Sequence, residues 1–501
     1  MAEHRPGIPP MTSTRSALSR LSIGIALLAL GLCATAAHAQ WSTDAADNLV
    51  VADRPAGQSQ PKLAPTADDG FYVSWFGNIG DGFDVYLQRL DAGGNEQWAH
   101  NGVLLADRGE SSTQDYGLDV DSAGNAVLAY QFEDGDGTPQ VAVSKVAPDG
   151  TPLWGTPGVI VSADPDGANS PRVAATSDGD VVVAWSAGDG SLVAQKLDSD
   201  GNPLWGTTGA VFTPPSGFFL IADMRASDAG SAIVSWSAQM SFSDRELWTQ
   251  KLAAPDGAPL WGTQPVKVFD GTGGAMQLGY FPDFIDDGAG GAVFVWYTVS
   301  LNGSVHAQHI LADGSAAFAQ NGVDLTTDTT RTHTEPAGAY DAASGDIYAI
   351  WRVADANTQT QIGLDAQRID QGGARMWGNH GIVLVPQGGT DRSQVQAVAF
   401  DGGALFSWAS DDYPQPMPIT VTRLDASGAA VWPAETVTIK SAPTDVARMG
   451  AALSTAGFAA WVWEDATGGG GGGSIRAQNI NADGSLGVEI DDTVFADGFD
   501  G

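Results

Sequence analysis

In a chain of 501 residues whose one cysteine is Cys33, disulfide bracing, paired-thiolate metal sites and dithiol redox chemistry are excluded. A chain this long must instead hold itself together by core burial. Its 59 acidic side chains against 23 basic ones give a net charge of −36, a field that repels nucleic acid and anionic lipid surfaces.

Residues 1–39 read as an export signal. Arg15 and Arg20 precede an apolar run over 21–32, and Ala37-His38-Ala39 places small residues where a signal peptidase reads. That run is too short for a membrane-spanning helix. A second reading stays open: Leu30-Gly31-Leu32-Cys33 resembles a lipoprotein box that would anchor the chain at Cys33, although Leu32 stands where such boxes carry a small residue. Cleavage after Ala39 removes three of the 23 basic residues and one of the 59 acidic ones, so the mature balance is more acidic still. The expected location is secreted, periplasmic or on the cell surface of a Gram-negative bacterium, with no transmembrane segment.

From residue 40 to 485 one phrase repeats. It reads LQRLDAGGNEQW up to Trp98, SKVAPDGTPLW to Trp154, AQKLDSDGNPLW to Trp205 and TQKLAAPDGAPLW to Trp261. It returns before Phe318, Trp377 and Trp432. The steps between these aromatics are 56, 51, 56, 57, 59 and 55 residues. A unit of that length cannot bury its apolar face alone, so the period implies a propeller, solenoid or array.

Residues 171–213 serve as the type unit. Apolar and β-branched runs at 171–176, 180–185, 191–197 and 209–213 are separated by Asp-Gly turns, which makes a four-stranded meander. Aromatics closing the second strand recur at Trp75, Tyr130, Trp185, Trp236, Trp296, Trp351, Trp408 and Trp463, giving eight units. One fourth strand, within 48–52, precedes the first unit, while the last unit lacks one. That permutation closes a ring, because the leading strand can pair with the last unit near 474–481 and remove an exposed edge. The expectation is an all-β, eight-bladed β-propeller of antiparallel four-stranded blades, with seven blades plus a remnant as the alternative.

Two segments fall outside the unit: six consecutive glycines at 468–473, and a tail at 486–501 ending DDTVFADGFDG. The tail is similar to a short Phe-Ala-Asp-Gly-Phe ending of secreted gammaproteobacterial proteins, which implies an export or surface-sorting context. The phrase Arg89-Leu90-Asp91…Gly94…Trp98 resembles the tryptophan-docking repeat of quinoprotein-type propellers. The pair Asp121-Ser122-Ala123-Gly124-Asn125 and Ala194-Gln195-Lys196-Leu197-Asp198 resembles NHL-type propellers. Both resemblances imply the fold. A quinone-dependent dehydrogenase is not expected, since those enzymes set a vicinal disulfide over the cofactor and this mature chain has no cysteine.

Candidate chemistry is sparse. Asp134-Gly135-Asp136-Gly137, Asp164-Pro165-Asp166-Gly167 and Asp198-Ser199-Asp200-Gly201-Asn202 place carboxylates two apart, as calcium loops do. Asp198, Asp200 and Asn202 form the best candidate set for calcium, the only cofactor considered. Tight turns select the same residues without a metal. Counting thirteen residues back from each second-strand aromatic gives Lys62, Gly117, Arg172, Asp223, Asp283, Gly338 and Val395. If the first strand is innermost, Lys62, Arg172, Asp223 and Asp283 line the central channel. His306 and His309 are three apart in a strand and point to opposite faces, so they do not share a metal. No nucleophile triad or zinc signature is assignable.

The first functional reading is therefore a secreted, monomeric, non-catalytic propeller binding a protein or glycan at its channel mouth or loop face. The alternatives are an extracellular carbohydrate hydrolase or lyase, and a structural or surface-display role.

Overall fold

The computed structural model describes residues 40–488, except 56, 80–81, 110–115, 134–136, 242–243, 278–279, 300–302, 413–416 and 467–472. The expected signal peptide with Cys33, residues 134–136 of one acidic turn, most of the glycine run and the tail beyond 488 lie outside that set. Eight antiparallel sheets of four strands each form an eight-bladed β-propeller, so the seven-blade alternative falls. The type unit becomes Ala168–Ala175, Val181–Ala187, Leu192–Leu197 and Ala210–Phe212, each strand paired with the next. The innermost strands are Gln58–Pro65, Gly117–Val120, Ala168–Ala175, Phe218–Ala226, Asp283–Asp286, Arg331–Asp341, Asp391–Phe400 and Asp445–Leu453. Each touches the next in a closed cycle. Among the described residues no helix is long and apolar enough to cross a membrane.

The ring is sealed by the chain's two ends. Leu49–Ala52 is the outer strand of the eighth blade, with Leu49 opposite Ala477 and Val50 opposite Arg476. Asn48 Nδ2 adds bonds to Ile439 O at 2.7 Å and Gln478 Oε1 at 3.0 Å.

The repeated phrase acquires a physical meaning in the structure. Its glycine has φ between +70° and +89° in every blade, and the aromatic of the preceding blade lies against it. A Cβ on Gly150, Gly257, Gly314 or Gly428 would come 2.5–3.2 Å from Trp98, Trp205, Trp261 or Trp377. Only glycine meets both demands, a left-handed turn and a flat ring on its Cα. The indole then donates to the carbonyl of that same turn: Trp98 to Pro148, Trp154 to Ser199, Trp261 to Ala312 and Trp432 to Ala482, at 2.9–3.1 Å. Sequence inspection missed one member. Trp41, outside any recognised phrase, makes the same contact with Gly94 and donates to Ala92 O at 2.9 Å.

A buried glutamine positions the ring in four of the blades. Gln195 accepts from Trp205 N and donates to Gly206 O, both at 2.9 Å, and Gln250, Gln308 and Gln367 repeat the arrangement. The residue after this position is basic in blades one to seven and ties its strand to the inner hairpin through an aspartate. Lys145–Asp121 spans 2.9 Å and Arg368–Asp346 2.7 Å, with Lys196–Asp178, Lys251–Asp228 and Arg423–Asp401 alike. Blade five uses His309–Asp287 at 2.9 Å. Much of the scarce positive charge is thus committed to holding blades together.

Candidate functional site

The innermost strands enclose two adjoining cavities of about 300 and 350 Å³, which share Lys62, Arg172, Asp223, Arg225 and Gln396 as walls. All four charged residues expected from the repeat lie here, with Asp283 in the first cavity. The thirteen-residue ruler needs correction in two blades. The residue facing the equivalent position is Ala337, opposite Ile350, rather than Gly338 in blade six. In blade seven it is Gln396, opposite Ser407, rather than Val395, which is buried in the core. The cause is hairpin length: Asp341 closes on Asp346 in blade six and Phe400 on Gly403 in blade seven, while Asp286 closes on Ala292 in blade five. Each change shifts the count by one. In the eighth blade Gly450 takes the position, opposite Val462, and Arg448 sits two residues earlier.

Arg225, which the repeat did not single out, completes the charge cluster. It follows Asp223 by two on one strand and so shares its face. Its Nη1 donates to Asp223 Oδ1 and to Met224 O, both at 3.0 Å, and Nη2 lies 2.7 Å from Asp223 Oδ2. Arg172 reaches Asp223 Oδ1 at 3.8 Å and donates Nε to Ala222 O at 3.0 Å and Nη1 to Pro171 O at 3.0 Å. Aromatic faces back the cations. Lys62 Nζ is 5.1 Å from the Tyr116 ring centroid, Arg172 is 5.7 Å from Phe281, and Arg225 is 5.8 Å from Phe284.

Asp283 accepts from Gly338 N at 2.7 Å, which ties blade five to blade six. Although it keeps intermediate exposure to the channel, protein encloses it, and that desolvation pushes its carboxyl up to about 6. Asp223 nearby adds to the rise, while the Gly338 amide and Arg225 oppose it. Asp119, accepting from Ala175 N at 2.9 Å, is raised by burial as well.

One rim of the channel carries five β-bulges. Gln60, Ser170, Glu335, Gln394 and Arg448 have φ between +49° and +55°, each two residues before the channel position of its blade. Left-handed backbone at non-glycine residues is strained and re-aims the side chain. No sequence signal marks these positions, since polar residues are ordinary at a strand start.

The acidic turn is closed by bonds among its own groups. Asp198 Oδ1 accepts from Asp200 N at 2.9 Å and Asn202 N at 2.8 Å, while Asn202 Nδ2 donates to Asp198 Oδ2 at 3.0 Å. Asp91 with Asn95 repeats this turn in blade one. Among the described residues no group of three or more His, Cys, Asp and Glu side chains is placed to hold a metal. His306 pairs with Asp324 and His309 with Asp287, so they serve separate partners.

No protein-family model matches the chain, and no curated protein does either. Among solved structures it is similar to a prolyl oligopeptidase B from Galerina marginata, at 10% identity, 82% of this chain, 56% of that one and TM-score 0.43. It is also similar to a eukaryotic initiation factor (11% identity, 90% and 94% covered, TM-score 0.44) and a polysaccharide lyase (12%, 89% and 97%, TM-score 0.41). The chain spans little more than half the oligopeptidase's length. These values say nothing about activity.

Proposed function

We propose that this chain is an exported, non-catalytic β-propeller that binds a ligand through its central channel. The observation that carries the reading is the convergence of Lys62, Arg172, Asp223, Arg225 and Asp283 on adjoining cavities, from four different blades. Pockets with a few convergent polar groups on a rigid scaffold are where ligands bind. The sequence of residues 1–39 supports export, and the regular repeat, uninterrupted by a catalytic insertion, supports binding over chemistry. A glycan array probed with the chain from residue 40, beside a variant whose channel is blocked by Gln396→Trp, tests the reading. Spots bound by the parent and lost in the variant support it. Equal signals from both would refute it.

A second reading, a carbohydrate hydrolase or lyase, is favoured by one observation. Asp283, with its carboxyl raised to about 6, is suited to hold and release a proton near neutral pH. Shortened chains or unsaturated sugar ends, appearing on incubation with oligosaccharides and lost in Asp283→Asn, would favour it over binding alone.

A further inference from the structure

The joint that closes the ring carries an ionisable group that its counterpart in another blade lacks. Just past the leading strand Leu49–Ala52, Asp53 N donates to Asn101 Oδ1 at 2.8 Å, which fastens that segment to blade one. Blades four and five are joined in the same way, with Asp270 N donating to Asn321 Oδ1 at 3.0 Å. Both asparagines are left-handed, with φ of +69° and +68°. They sit in matching phrases, Trp98-Ala99-His100-Asn101-Gly102 and Phe318-Ala319-Gln320-Asn321-Gly322. Gln320 stands at the place of His100, and Ala316 at the place of Glu96, so the joint of blades four and five has neither group.

Two carboxylates bracket His100. Its Nδ1 lies 2.9 Å from Glu96 Oε1, and its Nε2 lies 3.2 Å from Asp53 Oδ1. A neutral imidazole has a single N–H, so it donates to one of them and turns a lone pair on the other. The imidazolium satisfies both at once. Among the described residues, the charged groups at His100 are Glu96 on its own turn and Asp53 with Arg54 on the leading segment. Arg54 does not replace the imidazolium at Asp53: it donates to Asn101 O at 3.3 Å and lies over the Tyr86 ring at 4.6 Å. The Glu96 side chain is 7% exposed and that of Asp53 57%. Water can solvate Asp53 in place of the imidazole, but not the buried Glu96, so Asp53 is the partner given up when the proton leaves.

We infer that His100 is a proton-operated clasp on the ring closure: as the imidazolium it ties Asp53 to blade one, and without its proton it releases that end of the leading strand. Burial by itself lowers the proton affinity of the ring, but Glu96 and Asp53 outweigh it and hold the group above its ordinary value. With the folded value raised, the clasp contributes fully below about pH 6.5 and is lost as pH rises through the folded value. The Asn101 bond and the pairing of Leu49 with Ala477 and Val50 with Arg476 remain, so the seam loosens without parting.

Hydrogen exchange of the chain from residue 40 at pH 6 and pH 8.5, expressed as protection relative to the unfolded chain at each pH, tests the inference. Protection of residues 50–53 is expected to fall about three- to fivefold at the higher pH, the effect of one partly exposed ion pair on a local opening. Residues 267–270, at the joint of blades four and five, should keep theirs. His100→Gln, which copies Gln320, should bring protection of 50–53 at pH 6 down to the parent's level at pH 8.5 and make the two joints behave alike. Should His100→Gln fail to fold, Asp53→Asn removes the same dependence through the other partner. Protection of 50–53 that ignores pH in the parent, or a fall that persists in the variant, would overturn the inference. So would an equal fall at 267–270, where no imidazole stands in the joint.

Discussion

The Trp41 indole lies on Gly94 and donates to Ala92 O at 2.9 Å, while Gln478, from the far end of the sequence, donates to Ser42 O at 2.7 Å. Gln195, Trp205 and Gly206 make the same set inside one continuous phrase. The eighth docking unit is thus split between the two ends of the described chain. Trp41→Ala should lower stability by about 3–5 kcal/mol, as truncation of a buried aromatic does. Chemical denaturation checks this, and the same loss is expected for Trp432→Ala in the preceding blade.

Blade five carries Phe318 where the others carry tryptophan, so its docked ring has no N–H for the next turn. Phe318→Trp should supply a bond to the carbonyl of Gln371, the position matching Ala426 in the Trp377 contact. Stabilisation of about 1 kcal/mol is expected, read as a raised unfolding midpoint. An unchanged or lowered midpoint would show that the larger ring does not fit against Gly373.

His333 should make the fold acid-sensitive. Buried, with Arg331 beside it lowering it further, it is held at about 4 rather than 6.5. Its neutral Nδ1 accepts from Trp351 Nε1 at 3.0 Å. Because the unfolded chain binds a proton here more readily, stability is full above pH 6.5 and is lost as pH falls toward 4, on the order of 3 kcal/mol. Gln58 accepts from Trp75 in the same way at 2.8 Å. His333→Gln should therefore keep the fold and flatten the dependence of the melting temperature on pH over that window.

Asp283 has the opposite sign. Its folded value of about 6 lies above that of an unfolded aspartate, so its contribution is favourable below about pH 4 and is lost as pH rises through 6. Asp283→Asn should be more stable than the parent at pH 7.5, on the order of 1 kcal/mol, and equal to it at pH 4. Thermal melts at the two pH values check the reversal.

The turn at Asp198 should hold without calcium. Its carboxylate already caps the amides of Asp200 and Asn202, so excess chelator is expected to leave the melting temperature unchanged. A drop on chelation that calcium restores would assign Asp198, Asp200 and Asn202 as ligands.

The ring was legible because a period near 55 residues and a displaced fourth strand are topological signals that survive divergence. Trp41 was not, because its glutamine lies at Gln478 and no local phrase precedes it. Lys62, Arg172, Asp223 and Asp283 were found together by counting, since six hairpins share one length. Gly338 and Val395 were misplaced where the hairpins differ. Arg225 could have been found two residues beyond Asp223 on a strand. The bulges at Gln60, Ser170, Glu335, Gln394 and Arg448 leave no trace in residue type, because none of these left-handed positions carries a glycine.

Leu49–Ala52 is synthesised before any of the hairpin it completes, and its partners around Ile475 and Ala477 come last. A growing polypeptide therefore cannot seal its circle until nearly every blade exists. Until then the early strand has no partner edge, although Trp41 can already dock on Gly94 of the first blade, whereas once sealed, fraying at either terminus unzips the same seam.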